Sequence, residues 1–366
     1  MKLLHIVGAR PNFPKLAPVY RAARARGLNQ VIVHTGQHYD EAMSDSFFES
    51  LDIAAPGHNL AVGSASHAVQ TARIMERLEP VLQAESPDWL VVYGDVNSTV
   101  AASLVAAKLL VRTAHVEAGL RSDDRTMPEE INRLVTDRLA DLLLTPSRDA
   151  DARLRAEGEP ASKIVFVGNV MIDSLHFAAR RLGVLGADGR LPPSDGSVLV
   201  TLHRPSNVDE PARLECIMAV LRTLAEQRRV RFPAHPRTEA RLRAFGIGTG
   251  AVELMPPVVY DDMLRLMTAA DAVVTDSGGV QEETTALGIP CFTLRENTER
   301  PVTVTEGTNR LVPDPAALPG LLAGAQRLPI PRPPEGWDGR AGDRVVDALL
   351  ARASSRAAAT AAVSVG

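Results

Sequence analysis

The chain has 366 residues and a net charge of −4, with 45% hydrophobic and 23% charged residues. That is too long for one ordinary core, so two domains are expected, and the balance is that of a soluble globular protein. The slightly acidic charge excludes the basic face of a nucleic-acid binder, and no stretch reaches the roughly 18 apolar residues of a membrane span.

The chain opens "MKLLHIVGARPNF". Its apolar run Leu3–Val7 stops at Gly8-Ala9-Arg10, so it reads as a first β-strand and not as a secretion leader. Further strands are predicted at Val31–His34, Trp89–Tyr93, Thr113–Val116, Leu142–Thr145 and Ile164–Val167. A second series follows at Val198–Leu202, Val230–Pro233, Val252–Met255, Ala272–Thr275 and Cys291–Leu294. Apolar strands without polar alternation, separated by helical periods, predict parallel sheets covered on both faces. Two series predict two doubly wound α/β domains. A loose stretch, Gly183–Gly196, separates the series, but the hinge is placed earlier, at Gly168-Asn169. This gives domains 1–170 and 171–340. A last helix, about 341–353, is expected to cross back onto the first domain, and the Ala/Ser-rich residues 354–366 to form a disordered tail. Cys216 and Cys291 lack metal or disulfide spacing and read as small buried side chains.

In parallel sheets ligands bind beyond the carboxyl ends of the strands, so the residues just after each strand carry the functional reading. In "VVTDSGGVQEETTALGIP" a strand ends at Ser277-Gly278-Gly279 and a helix begins. The glycines let backbone approach a ligand, and free N–H groups with the positive helix end suit a diphosphate. Glu282 and Glu283 follow; a carboxylate one turn in can accept both hydroxyls of a ribose. Arg10 and Lys15 in "GARPNFPK" bring cations to another helix start, suited to a diphosphate leaving group. No G-x-G-x-x-G fingerprint is present, which argues against a dinucleotide enzyme.

Carboxylates collect in the first domain. Asp95 ends "VVYGD", Glu117 follows the strand in "HVEAGLRS", and Glu129-Glu130 open a helix after Pro128. Ile131, Leu134, Val135 and Leu139 mark that helix's buried stripe, and periodicity does not choose between Glu129 and Glu130. Acids beside cations suggest proton transfer at carbon. His203 and His235 end two strands of the second domain, beside Arg204 and Arg237. No set of residues has metal-ligand spacing, so no catalytic metal is expected.

Eight separated motifs, "GARPNFPKLAPV", "TGQH", "GDVNSTVAASLVA", "HVEAGLRS", "PEEINR", "GNVMIDSL", "DSGGVQEE" and "ENTERPVTVTEGTNRLV", together resemble the non-hydrolysing UDP-N-acetylglucosamine 2-epimerases, in order, from about Lys2 to Leu350. The resemblance implies an α/β GT-B fold, two Rossmann-like domains facing across a cleft, and interconversion of UDP-N-acetylglucosamine and UDP-N-acetylmannosamine through a 2-acetamidoglucal. It implies Asp95, Glu117 and Glu129 as acid/base groups, joined by His203. It implies Arg10, Lys15, His235, Ser277, Gly278, Gly279 and Arg300 on the substrate, and Glu283 on the ribose. It further implies a cytoplasmic homodimer without cofactor. "RPNF" departs from the commoner "RPE". Tyr39 stands after "QH" where some members carry an arginine for an activating second UDP-sugar, so activation by substrate is not implied. The rival readings are a GT-B glycosyltransferase using a UDP-sugar donor, a hydrolysing 2-epimerase that releases free N-acetylmannosamine and UDP, and a UDP-sugar sensor that binds without catalysis.

Overall fold

A computed structural model describes residues 1–9, 12–36, 45–186, 190–328 and 331–363, with the backbone alone for 45–47 and 354–363. Arg10 and the Gln37–Tyr39 stretch lie outside the described residues. The chain divides into two units, Met1–Ser174 with Glu335–Gly366, and Leu175–Pro334.

In the first unit, strands β1 (Lys2–Val7), β2 (Asn29–His34), β3 (His58–Asn59), β4 (Trp89–Tyr93), β5 (Thr113–Val116), β6 (Leu142–Thr145) and β7 (Ile164–Phe166) pair in the order β3-β2-β1-β4-β5-β6-β7. Every pairing is parallel. Side chains alternate across the sheet, and both faces are apolar. Leu3 and Val7 of β1 pack with Trp89, Val91 and Phe13 on one face, while Leu4 and Ile6 pack with Leu90 and Val92 on the other. His5 is the polar exception. Fully buried, it is hydrogen-bonded to the Tyr93 hydroxyl at 2.8 Å and to Gln30 at 3.1 Å, and burial pushes its pKa down to about 4.

The helix Ala341–Val363 returns to this unit and seats on the helix Phe13–Ala25. A Cβ at Gly342 would lie 2.6 Å from the Pro18 backbone, so only glycine permits the approach. Asp173 caps this returning helix, accepting the Ala341 and Gly342 amides at 3.1 and 2.8 Å. Its backbone continues through most of the stretch assigned to a tail.

The second unit repeats the plan. Strands β8 (Val198–Thr201), β9 (Val230–Pro233), β10 (Glu253–Met255), β11 (Ala272–Thr275), β12 (Cys291–Thr293) and β13 (Asn309–Leu311) pair in the order β10-β9-β8-β11-β12-β13, all parallel. In each unit the strand order reverses next to the first strand, at β1/β4 and at β8/β11, and such a switch point opens a crevice at the strands' carboxyl ends.

Three expectations are corrected. β3 and β13 were not predicted, because "HN" and "NRL" present no apolar run. Cys216 is exposed, since its helix Pro211–Ala225 buries Leu214, Ile217, Met218 and Leu221 instead. The helix Pro128–Leu139 turns its polar side inward. It buries Glu130, Asn132, Arg133, Thr136 and Asp137, while Ile131 is 38% exposed and Leu134, Val135 and Leu139 are only half-buried.

Candidate active site

In the first unit the ends of β1, β4 and β5 meet. Asn12 braces the loop after β1: its side-chain oxygen accepts the Gly8 and Ala9 amides at 3.2 and 3.0 Å, and its amide donates to the Tyr93 carbonyl at 3.3 Å. One turn on, Lys15 forms an ion pair with Glu117, whose side chain is 2% exposed. Gly94 makes room for that pair. With φ +64° it favours glycine, and a Cβ there would lie 2.7 Å from Lys15 Nζ. Glu117 itself sits at φ +72°. A glutamate held in the left-handed region costs about 1–3 kcal/mol and points to a functional constraint.

The other two carboxylates hang on the helix Pro128–Leu139. Arg133, 3% exposed, forms an ion pair with Asp95, and Asn132 donates to the Asp95 carbonyl at 2.8 Å. Glu130 accepts the Ser122 and Asp123 amides at 3.0 and 3.1 Å and binds Arg133 at 2.7 Å. Burial alone would raise its pKa, but those donors hold it below the usual carboxylate range. Its oxygens are thus occupied with holding a loop. Glu129 is half-buried and its side chain makes no hydrogen bond or ion pair among the described residues. The two neighbours, which periodicity does not distinguish, thus differ in their side-chain partners.

In the second unit β8 and β11 end side by side. Asp276 is fully buried. It accepts the backbone amides of His203 and Arg204 at 3.1 and 3.0 Å, and its carboxylate lies 3.0 Å from His203 Nδ1. Burial would raise its pKa, yet the contact with His203 and the Arg204 amide keep it low. An ionised Asp276 holds the proton on Nδ1, leaving Nε2 of the half-exposed His203 ring for a ligand. His235 caps the helix Pro236–Phe245, accepting the Arg237 amide at 3.2 Å, with its ring 6.4 Å from that of His203.

Ser277 is the N-cap of the helix Gly278–Leu287, and its side chain makes no capping bond. The two glycines differ. A Cβ on Gly278 would meet Arg300 and Glu299 at 2.6 and 2.8 Å, whereas one on Gly279 would meet nothing within 4 Å among the described residues. Arg300 is held by Glu282 at 2.8 Å and Glu299 at 2.7 Å, and Glu299 also faces Arg295 at 2.9 Å. Glu299 is held well below the carboxylate range against its burial by Arg300, Arg295 and Arg204. Glu283, 5% exposed, accepts the Tyr260 hydroxyl at 2.8 Å; burial pushes its pKa up to about 7.

Sequence reasoning missed Arg133, Asp276, Tyr260 and Glu299. Asp276 lay in the quoted strand-end motif and Arg133 one turn after Glu129, so both were within reach; nothing local marked Tyr260. Among the described residues no three His, Cys, Asp or Glu gather as a metal ion would need, and no helix is long and apolar enough to cross a membrane.

Known proteins resemble this chain along most of its length. The profile of the UDP-N-acetylglucosamine 2-epimerase family matches residues 21–350. The UDP-N-acetylglucosamine 2-epimerase of Methanocaldococcus jannaschii is 42% identical over 86% of this chain and 89% of its own. The UDP-2,3-diacetamido-2,3-dideoxy-D-glucuronate 2-epimerase of Pseudomonas aeruginosa is 44% identical over 85% and 88%. A solved structure of the M. jannaschii protein, in complex with UDP-GlcNAc and UDP, superposes with a TM-score of 0.84 at 38% identity, covering 96% of this chain and 99% of that one.

Proposed function

This chain belongs to the UDP-N-acetylglucosamine 2-epimerase family and has its GT-B fold, and from that premise we propose that it interconverts UDP-N-acetylglucosamine and UDP-N-acetylmannosamine without releasing the free sugar. The observation that carries the reading is the carboxylate group of the first unit. A buried Glu117 in a strained backbone stands beside Lys15, Asp95 is held by Arg133, and Glu129 is left uncommitted.

The proton on carbon 2 of the sugar is not acidic. In the proposed reaction a carboxylate takes it as the bond from carbon 1 to the diphosphate oxygen breaks, that electron pair leaving with UDP and a 2-acetamidoglucal remaining. A second acid then returns a proton to the opposite face of carbon 2 as UDP re-adds at carbon 1. One carboxylate cannot serve both faces, so Asp95, Glu117 and Glu129 share the work. Lys15, Arg10, Ser277, Gly278, Gly279, Arg300 and His203 Nε2 would stabilise the diphosphate; each such donor contributes about 3 kcal/mol in the transition state. Glu283 would take the ribose hydroxyls, and His235 would assist through its contact with His203.

The 44% identity to the relative named for a 2,3-diacetamido uronate favours a second reading, in which the sugar carries groups at carbons 3 and 6. We further propose a cytoplasmic homodimer. The outward apolar side chains of the helix Pro128–Leu139, with Ile131 38% exposed, support a subunit contact there.

Each UDP-sugar, incubated with the protein in deuterated water, tests the reading. Deuterium at carbon 2 of both recovered epimers is expected. Free N-acetylmannosamine as the main product would point to hydrolysis instead, and sugar transfer without label to a glycosyltransferase.

A further inference from the structure

Resting on the carboxylate roles proposed above, we propose that His115 is a positioning residue that, with Asp137, ties the two loops carrying Asp95 and Glu117 into one rigid unit.

His115 lies on β5, two residues before Glu117, and is completely buried. Its Nε2 is 2.8 Å from the carbonyl oxygen of Gly94, the residue before Asp95. Its Nδ1 is 2.6 Å from Asp137 Oδ1. The other oxygen of Asp137 accepts the amide of Gly119 at 3.1 Å, two residues after Glu117, and lies 2.8 Å from Arg121. One imidazole–carboxylate pair therefore reaches the backbone on both sides of the carboxylate cluster. The lever is short. Lys15 Nζ and Glu117 Oε2 would lie 2.7 and 3.2 Å from a Cβ on Gly94, so the ion pair packs directly against that backbone.

The ring faces an acceptor at each nitrogen. A neutral imidazole would set a lone pair against the Gly94 carbonyl or the Asp137 carboxylate. A proton on both nitrogens satisfies both contacts. Asp137 is suited to hold that cation, since His115 and Arg121 keep it ionised although burial opposes this. Arg121 is paired in turn with Glu157 at 2.7 Å. The cluster's outer charge is thus neutralised, and the imidazolium is held between the Gly94 carbonyl and Asp137.

Three measurements on the full chain test this. In the parent, ring-nitrogen NMR of His115 should show both nitrogens protonated; a single protonated nitrogen overturns the proposal. In His115→Phe, amide exchange should rise together in 94–97 and 117–122, with exchange in Leu175–Pro334 unchanged. A rise in one loop alone, or in neither, overturns it. For turnover, His115→Phe should lower kcat by about 10–100-fold, the scale of an ångström-level misplacement, with KM within about twofold. His115→Gln, whose side-chain amide can still donate to Gly94, should recover part of that loss. Unchanged kcat in His115→Phe, or no recovery in a folded His115→Gln, would overturn the proposal. If the parent shows no epimerisation, the proposed reaction fails, and the ring protonation and exchange results still decide the role of His115.

Discussion

Gly278 and Gly279 are adjacent in sequence and carry different physical reasons for being glycine. Gly278 is needed by the protein, because Arg300 and Glu299 occupy the space of its missing side chain. A Cβ on Gly279 would meet nothing within 4 Å among the described residues, and in the proposed reaction the diphosphate takes that space. Gly279→Ala should therefore leave the melting temperature unchanged or slightly higher, alanine being favoured in helices by up to about 1 kcal/mol, while KM for the UDP-sugar rises about tenfold or more. An unchanged KM, measured by initial rates, would remove the diphosphate from this helix start. Glu283 yields a pH prediction. Its folded pKa of about 7 lies above the ordinary glutamate value of 4.5, so ionising it costs stability, and that cost appears as pH rises from about 4.5 toward 7. Ribose hydroxyls would favour the charged form. UDP affinity by calorimetry should strengthen as pH rises through about 7, and Glu283→Gln should flatten that dependence. The motif itself made these residues legible, because strand, glycines and acid sit within one short stretch. Tyr260, which holds Glu283, comes from a separate helix, and no local pattern pairs the two.

At the scale of elements, apolar runs located strands well and the helix Pro128–Leu139 badly. Five strands, among them Trp89–Tyr93 and Ala272–Thr275, carry the bounds expected from sequence, because a strand buried on both faces must be apolar throughout. The helix misled because its buried face is polar. Asn132, Arg133 and Asp137 look inward to hold loops, and the apolar stripe that normally marks a core looks outward. A local departure from patterning of this kind is expected where function competes with packing. Arg133 is the member most open to test, since its fork joins Asp95 to Glu130. Arg133→Lys keeps the charge but cannot hold both carboxylates. We expect kcat to fall about 10–100-fold with KM nearly unchanged, and a lowered melting temperature, read by steady-state kinetics and thermal denaturation. Normal kcat would show that Asp95 needs no such support.

For the whole molecule, the chain leaves its first unit at Ser174 and returns at Glu335, so the first core is unfinished until the last residues are made. The returning segment buries Trp337, Val345, Val346 and Leu349 almost completely. Trp337 donates its indole N–H to the Pro146 carbonyl at 3.0 Å, and Arg344 donates to the Val167 carbonyl at 3.0 Å. Four such side chains at about 1.5–3 kcal/mol each give about 6–12 kcal/mol, comparable to the whole stability of a domain, about 5–15 kcal/mol. A chain cut after Pro334 should therefore lose the cooperative melting of the first unit and all epimerase activity. Leu175–Pro334 keeps its own sheet and core cluster, so UDP binding should survive. A chain cut after Ala353 retains every buried side chain named here and should melt as the parent does. Differential scanning calorimetry with a parallel UDP titration separates these outcomes. Two unchanged transitions after the Pro334 cut would mean that the final helix covers the first unit without stabilising it.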